Sequence, residues 1–230
     1  MAIDVNTVYR TVLAILNKEQ RGYMTPDQFN KAAAQAQLDI FNKYFDELNQ
    51  LTKTPQPGLD YADRLISLDE KMSIFRVNDT AGTGVAGVFG LPATLRELGN
   101  VVYNDIEVQR LSRDQFYNIN KSEYTKPSLN YPIYLYEDSS IKIYPVEIIT
   151  GVRLNYIRKI VNPKWGYISA GVAGNYQYDS TSSVQFELHI SEETKLILSI
   201  LQYAGVTVKD NDIVNFATLA KTDKPIIDKQ

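Results

Sequence analysis

Residues Gly82 to Gly87, GTGVAG, match the pattern G-x-G-x-x-G. In a dinucleotide-binding fold that pattern joins a strand to a helix whose N-terminal amides hold a pyrophosphate. Met72–Val77, MSIFRV, reads as a strand in front of it. The residues behind it, VFGLP, put Gly90 and Pro92 where the helix has to run. No later β-α alternation supplies a parallel sheet. Residues 80–90 are therefore expected to form a flexible loop rather than a nucleotide site.

His189 is the only histidine, set between Leu188 and Ile190 just before Ser191. A Ser-His-acid hydrolase would need further partners, and no GxSxG elbow is present. A packed or cap-adjacent histidine is the expectation. The chain has no cysteine, which removes disulfides, thiolate metal sites and cysteine nucleophiles together. One imidazole without a thiol leaves only oxygen ligands for a metal. Two adjacent acid pairs, Glu192–Glu193 and Glu137–Asp138, stand out. Glycoside hydrolysis needs carboxylates facing each other across a cleft. Neighbours at a helix start point apart, and 137–138 falls in a turn signal. There is no P-loop. The expectation is that the chain is not an enzyme, with no catalytic, cofactor-binding or metal-binding residue and no cofactor.

The elements that carry these residues are helical at both ends and β in the middle. Val5, Val8, Tyr9, Val12, Leu13, Ile15 and Leu16 have helical spacing over 5–18, with Asp4 or Asn6 as cap and Gly22 as a stop. Thr25, Pro26 and Gln28 open a second helix with a capping box, its stripe running from Phe29 to Leu48 and its end near Asn49. An antiparallel pair with the first helix is the simplest packing. TKTPQPG at 52–58 is a breaker, followed by a short helix in 59–67. Leu95–Tyr103 and Ile106–Leu111 read as strands around an Asn104–Asp105 hairpin turn. Ser112 and Gln115 cap a short helix through Asn120. Ile133–Tyr136, Ile141–Tyr144 and Val152–Ile157 are further strands, and 167–185 a long exposed hairpin or loop. Ser191 caps a returning helix ended by Gly205. Another helix runs from Asp210 to about Lys221, before a charged tail.

The fold class expected is α+β: a helical bundle made from both chain ends, with an inserted β-rich barrel or sandwich module. The divisions fall at 1–68, 69–188 and 189–230. A chain of 230 residues buries roughly 70% of its extended surface, enough for a core without staples. A net charge of −3, without a long like-charge run, argues against a broad basic face for nucleic acid. The start, MAIDVNTVYR, lacks a signal-peptide pattern, and no 18-residue apolar stretch exists, so no membrane is expected. The 16 tyrosines suit β-surfaces and interfaces.

This order of elements resembles the head-to-tail adaptors of short-tailed phages, also called tail tubular or ring proteins. The likeness is carried by LPATLREL, PIYLYEDSSIKIYP and VRLNYIRKIVNPKW between Leu91 and Trp165, and by ISEETKLILSILQYAGVTVKDNDIVNFA. It is closest to the ring proteins of crAss-like phages. The resemblance implies a virion structural protein in the neck or tail, present in the host cytoplasm during assembly. It implies a homo-oligomeric ring, twelvefold, binding the portal and adjacent ring or tail proteins. DNA would pass through its lumen without specific binding, which suits a negative subunit. It implies no catalytic residues. Residues 80–90, 167–183 and 222–230 are then segments that order on docking. The alternative is a carbohydrate- or receptor-binding β module of a tail complex, marked by aromatics lining a groove within 95–178.

Overall fold

A computed structural model describes residues 2–18, 24–53, 59–169 and 176–207. In chain order the elements are β1 (Ala2–Ile3), α1 (Val5–Lys18), α2 (Pro26–Lys53), α3 (Leu59–Ser73), β2 (Arg76–Thr80), β3 (Val88–Gly90), β4 (Leu95–Tyr103), β5 (Ile106–Arg110), α4 (Arg113–Ile119), β6 (Ile133–Glu137), β7 (Ser140–Tyr144), β8 (Val152–Arg158), β9 (Tyr167–Ser169), β10 (Tyr176–Tyr178), β11 (Phe186–His189) and α5 (Glu193–Thr207), with a 3-10 turn at Ile190–Glu192. The chain is mixed α+β. It divides into two compact units, Met1–Ile74 with Ile160–Gln230, and Phe75–Lys159. The divisions thus fall at 74/75 and 159/160, where the sequence reading put them at 68/69 and 188/189.

In the first unit Asp4 caps α1: its carboxylate accepts from the Thr7 N–H at 2.9 Å and from the Thr7 hydroxyl at 2.7 Å. Of the expected stripe, Val5, Val8, Tyr9, Val12 and Leu16 are buried, while Leu13 is half-buried and Ile15 exposed. At α2 the capping box forms in both directions, Gln28 N–H to Thr25 Oγ1 at 3.3 Å and Thr25 N–H to Gln28 Oε1 at 3.0 Å. Such a cap contributes about 1 kcal/mol. The most extensive helical neighbour of α2 is α5, not α1; α1 also lies against α5. α1 meets α2 where the Tyr9 and Phe29 rings lie edge-on at 4.8 Å, and both helices also pack on the returning helix. Buried Ala32, Ala33 and Ala36 give α2 a low-relief face on which another helix can lie close.

Two side chains of α2 tie down the return of the chain. Asn30 accepts from the Trp165 N–H at 2.7 Å and donates to the Trp165 carbonyl at 3.3 Å. Gln37 is fully buried; it donates to the Val161 carbonyl at 2.8 Å and accepts from the Glu187 N–H at 3.0 Å. Positions seven apart share a helix face, so one face of α2 holds backbone at 161, 165 and 187. This is why residues 160–188, expected in the β module, belong to the helical unit. There β11 pairs antiparallel with β1, and β9 with β10.

Three local expectations fail here. MSIFRV does not form a strand from Met72, because α3 continues to Ser73 and the strand starts at Arg76. Leu68 and Met72, four apart, are both buried, so the apolar pattern serves a helix face. The cap of the returning segment is His189, whose ring nitrogen accepts from the Ser191 N–H at 3.3 Å, instead of Ser191. Gly205 does not end α5, which runs to Thr207. The expected helix from 210, the tail, and Gly22 lie outside the described residues.

The second unit is a seven-stranded sheet in the order β2-β8-β4-β5-β6-β7-β3. All neighbours pair antiparallel except β5 and β6. Asn104 and Asp105 both take positive φ, 47° and 61°, as a two-residue type I′ hairpin requires. Phe89 of one edge strand and Val77 of the other pack into one cluster with Val101, Ile143 and Leu154. Opposite edges can meet in one core only if the sheet curls. Among the described residues β2 and β3 do not pair with each other, so one curled open sheet stands in place of the expected barrel or sandwich. On the other face, α4 lays Phe116 and Ile119 over Leu111, Ile133, Leu135 and Tyr144. Its capping box, Ser112 with Gln115, forms as expected.

Candidate functional site

The glycine motif makes a turn. Val85 and Val88 exchange backbone hydrogen bonds of 3.1 and 3.0 Å around Ala86 and Gly87, both at positive φ. A Cβ on Gly87 would lie 2.5 Å from the Ile143 carbonyl, and one on Gly84 would lie 2.7 Å from the Phe89 ring. The glycines thus let a hairpin close tightly over the core. The chain leaves the motif into β3 instead of a helix, so the pyrophosphate geometry is missing and the expected flexible loop is an ordered turn.

The acid pairs do not converge either. Glu137 bonds Arg113 at 3.1 Å, and Asp138 turns away at φ 42°. Glu192 is buried between Lys71 Nζ at 2.7 Å and Lys195 Nζ at 3.1 Å. Burial opposes its charge, but the two ammonium groups hold its pKa below the usual glutamate range. Tyr44 places a buried, unpartnered hydroxyl in the same unit, its pKa pushed up first by burial and then by Glu192 and Glu47. Glu193 is a half-buried neighbour at the start of α5. His189 spends its ring nitrogen on Ser191. Among the described residues no three His, Asp or Glu side chains gather as metal ligands, and no helix is long and apolar enough to cross a membrane.

Trp165 anchors an aromatic row in the first unit. Its ring lies 4.1 Å from Tyr9, stacks on Tyr167 at 6.0 Å, and donates its indole N–H to Asn6 at 3.2 Å. Tyr176 meets Tyr167 edge-on at 4.9 Å. A two-stranded hairpin is marginal alone, and these rings seat β9 and β10 on the helices. The segment 167–183 is in this respect built onto the unit. Its tip, 170–175, lies outside the described residues, as does 222–230.

A concavity lies in the second unit. β5 pairs with β4 only at Val101–Tyr103 and then crosses to β6 at Gln109 and Arg110. On β4 the pairing to β8 slips between Leu98 and Val101, a bulge at Gly99 and Asn100. A Cβ on Gly99 would sit 3.0 Å from the Asn155 carbonyl. The bulge bends β4 away from β5 and opens a wedge-shaped cleft of about 400 Å³. Tyr134 lines it. The residue is 4% exposed, yet among the described residues its hydroxyl makes no hydrogen bond. Burial raises the pKa of this phenol; Arg110 opposes the rise and Glu107 adds to it. Arg110 lies over the Tyr136 ring at 5.3 Å and has no ion pair among the described residues. A second hollow of about 370 Å³ continues past Arg110 beneath Ser112 and Gln115.

None of the cleft residues was singled out by the sequence reading. Its one signal is Gly99 inside a strand pattern, which marks a bulge or a close backbone approach. No protein-family model and no curated protein matches this chain.

Proposed function

We propose that the chain is a virion structural protein that forms a ring in the neck of a short-tailed phage, linking portal to tail and letting DNA pass. The observation that carries the reading is the tyrosine surface of the sheet unit. Tyr117, Tyr131 and Tyr124 are 64%, 79% and 100% exposed within one short stretch. Tyrosine is enriched where partners bind tightly. The element order that resembles phage adaptors supports the same reading. In it the helices of both chain ends bundle as the body of a twelvefold homo-oligomer, through a heterologous interface. The sheet unit reaches the portal or an adjacent ring or tail protein. The lumen passes DNA without holding it, each copy adding a net −3.

Native mass spectrometry and negative-stain microscopy of the purified chain, alone and with portal, test this. Rings of about a dozen copies are expected. A chain that stays monomeric with portal present, and binds a glycan through Tyr117, Tyr124 or Tyr131, overturns it in favour of a carbohydrate- or receptor-binding module.

A further inference from the structure

The cleft beside β4 has features that no part of the fold consumes. One wall is the edge of β4 at residues 98–100, which β5 abandons after Val101. Backbone N–H and C=O groups on a strand edge are a template for another strand. Three residues of strand span about 10 Å. The cleft's volume of about 400 Å³ lies in the range of ligand pockets. Its lining includes Arg110 and Tyr134, whose hydroxyl makes no hydrogen bond among the described residues. Arg110 is already laid over Tyr136, so little side-chain order remains to be lost on binding. Glu107, three residues from Arg110 along β5, carries its side chain on the opposite face of the strand. The charged side chain on the face of Tyr134 and Tyr136 is that of Arg110, so the cleft is cationic.

We propose that this cleft receives an extended peptide segment, which adds as a short strand beside residues 98–100 and sets an acidic side chain against Arg110 and the Tyr134 hydroxyl. The acidic residue of the segment lies at Arg110. The site does not rest on ring formation, and a monomer would bind in the same way.

Panning the immobilised full chain with a random seven-residue peptide library tests the assignment, with the Arg110→Gln chain as counter-selection. Enriched peptides are expected to carry Asp or Glu at one fixed position. They should bind the Arg110→Gln chain about tenfold more weakly and the Tyr134→Phe chain severalfold more weakly. In amide spectra of the labelled chain they should shift residues 98–101 and 107–110. Both variants should keep the spectrum of the parent elsewhere. The proposal is overturned if no acidic position is enriched over the Arg110→Gln chain, or if the bound peptides shift other amides. It is equally overturned if free glutamate or a ten-residue oligothymidylate produces the same shifts at the same concentration.

Discussion

Lys71→Met removes the cation that sits 2.7 Å from Glu192 Oε1 at the last turn of α3. The Glu192 side chain is 2% exposed and that of Lys71 is 21% exposed, so solvent screens the pair weakly. Taking one partner from a buried pair costs about 3–5 kcal/mol, because the remaining charge stays buried. Here Lys195 remains 3.1 Å from the other oxygen, which already lacks a well-directed hydrogen bond. The loss therefore belongs at the low end, about 3 kcal/mol. For a chain of this size that lowers Tm by roughly 6–12 °C. The pH dependence follows from the sign of the Glu192 shift. Its folded pKa lies below the ordinary value, so the stabilisation is present above the unfolded pKa and is lost as pH falls through the folded one. The gap between parent and variant should be full at pH 7 and shrink below about pH 4. Urea denaturation followed by circular dichroism at pH 7, 5 and 3.5 measures both. Adding Glu192→Gln to Lys71→Met should recover more than half of the loss, since no charge is then stranded. A loss under about 1 kcal/mol, or a gap unchanged between pH 7 and 3.5, would refute the reasoning.

Two further substitutions probe the frame of each unit. Gln37→Leu leaves the Val161 carbonyl and the Glu187 N–H buried without their partner, at about 2–5 kcal/mol together; calorimetry should show the helical unit melting earlier. Gly87→Ala forces a Cβ to within 2.5 Å of the Ile143 carbonyl at φ 77°, and should cost more than about 2 kcal/mol, read as faster amide exchange at Ile141 and Ile143.

What could be read in the chain beforehand was chemistry decided within four or five residues. The capping boxes Thr25–Gln28 and Ser112–Gln115 and the turn at Asn104–Asp105 depend on neighbours alone, and they form where their side chains dictate. MSIFRV failed because a short apolar run fits a helix face and a strand equally well, and burial of Met72 beside Leu68 decided it. The 80–90 glycines spelled a flexible loop, but their small size is what lets Phe89 and Ile143 close around them. Asn30 and Gln37 look like ordinary polar positions of an amphipathic helix; their partners lie 124 to 150 residues away. The cleft was illegible for the same reason, since it exists only where β5 exchanges one neighbour for another.

The clamp of Asn30 on Trp165 also bears on how the chain reaches its fold. The two residues are 135 positions apart, and closing so long a loop is entropically costly. Residues 75–159 form a unit whose first and last strands are joined: Phe75 accepts from the Arg158 N–H at 2.9 Å, and β2 runs beside β8. Once that contiguous stretch has folded, it acts as a staple across its own ends. Roughly 50 loose residues, rather than 135, then separate the clamp from its target. By the logarithmic scaling of loop closure this lowers the cost by about 0.9 kcal/mol. On a ribosome the sheet unit can be complete before residue 165 emerges, whereas α2 has to wait, its buried glutamine exposed, for the chain to come back.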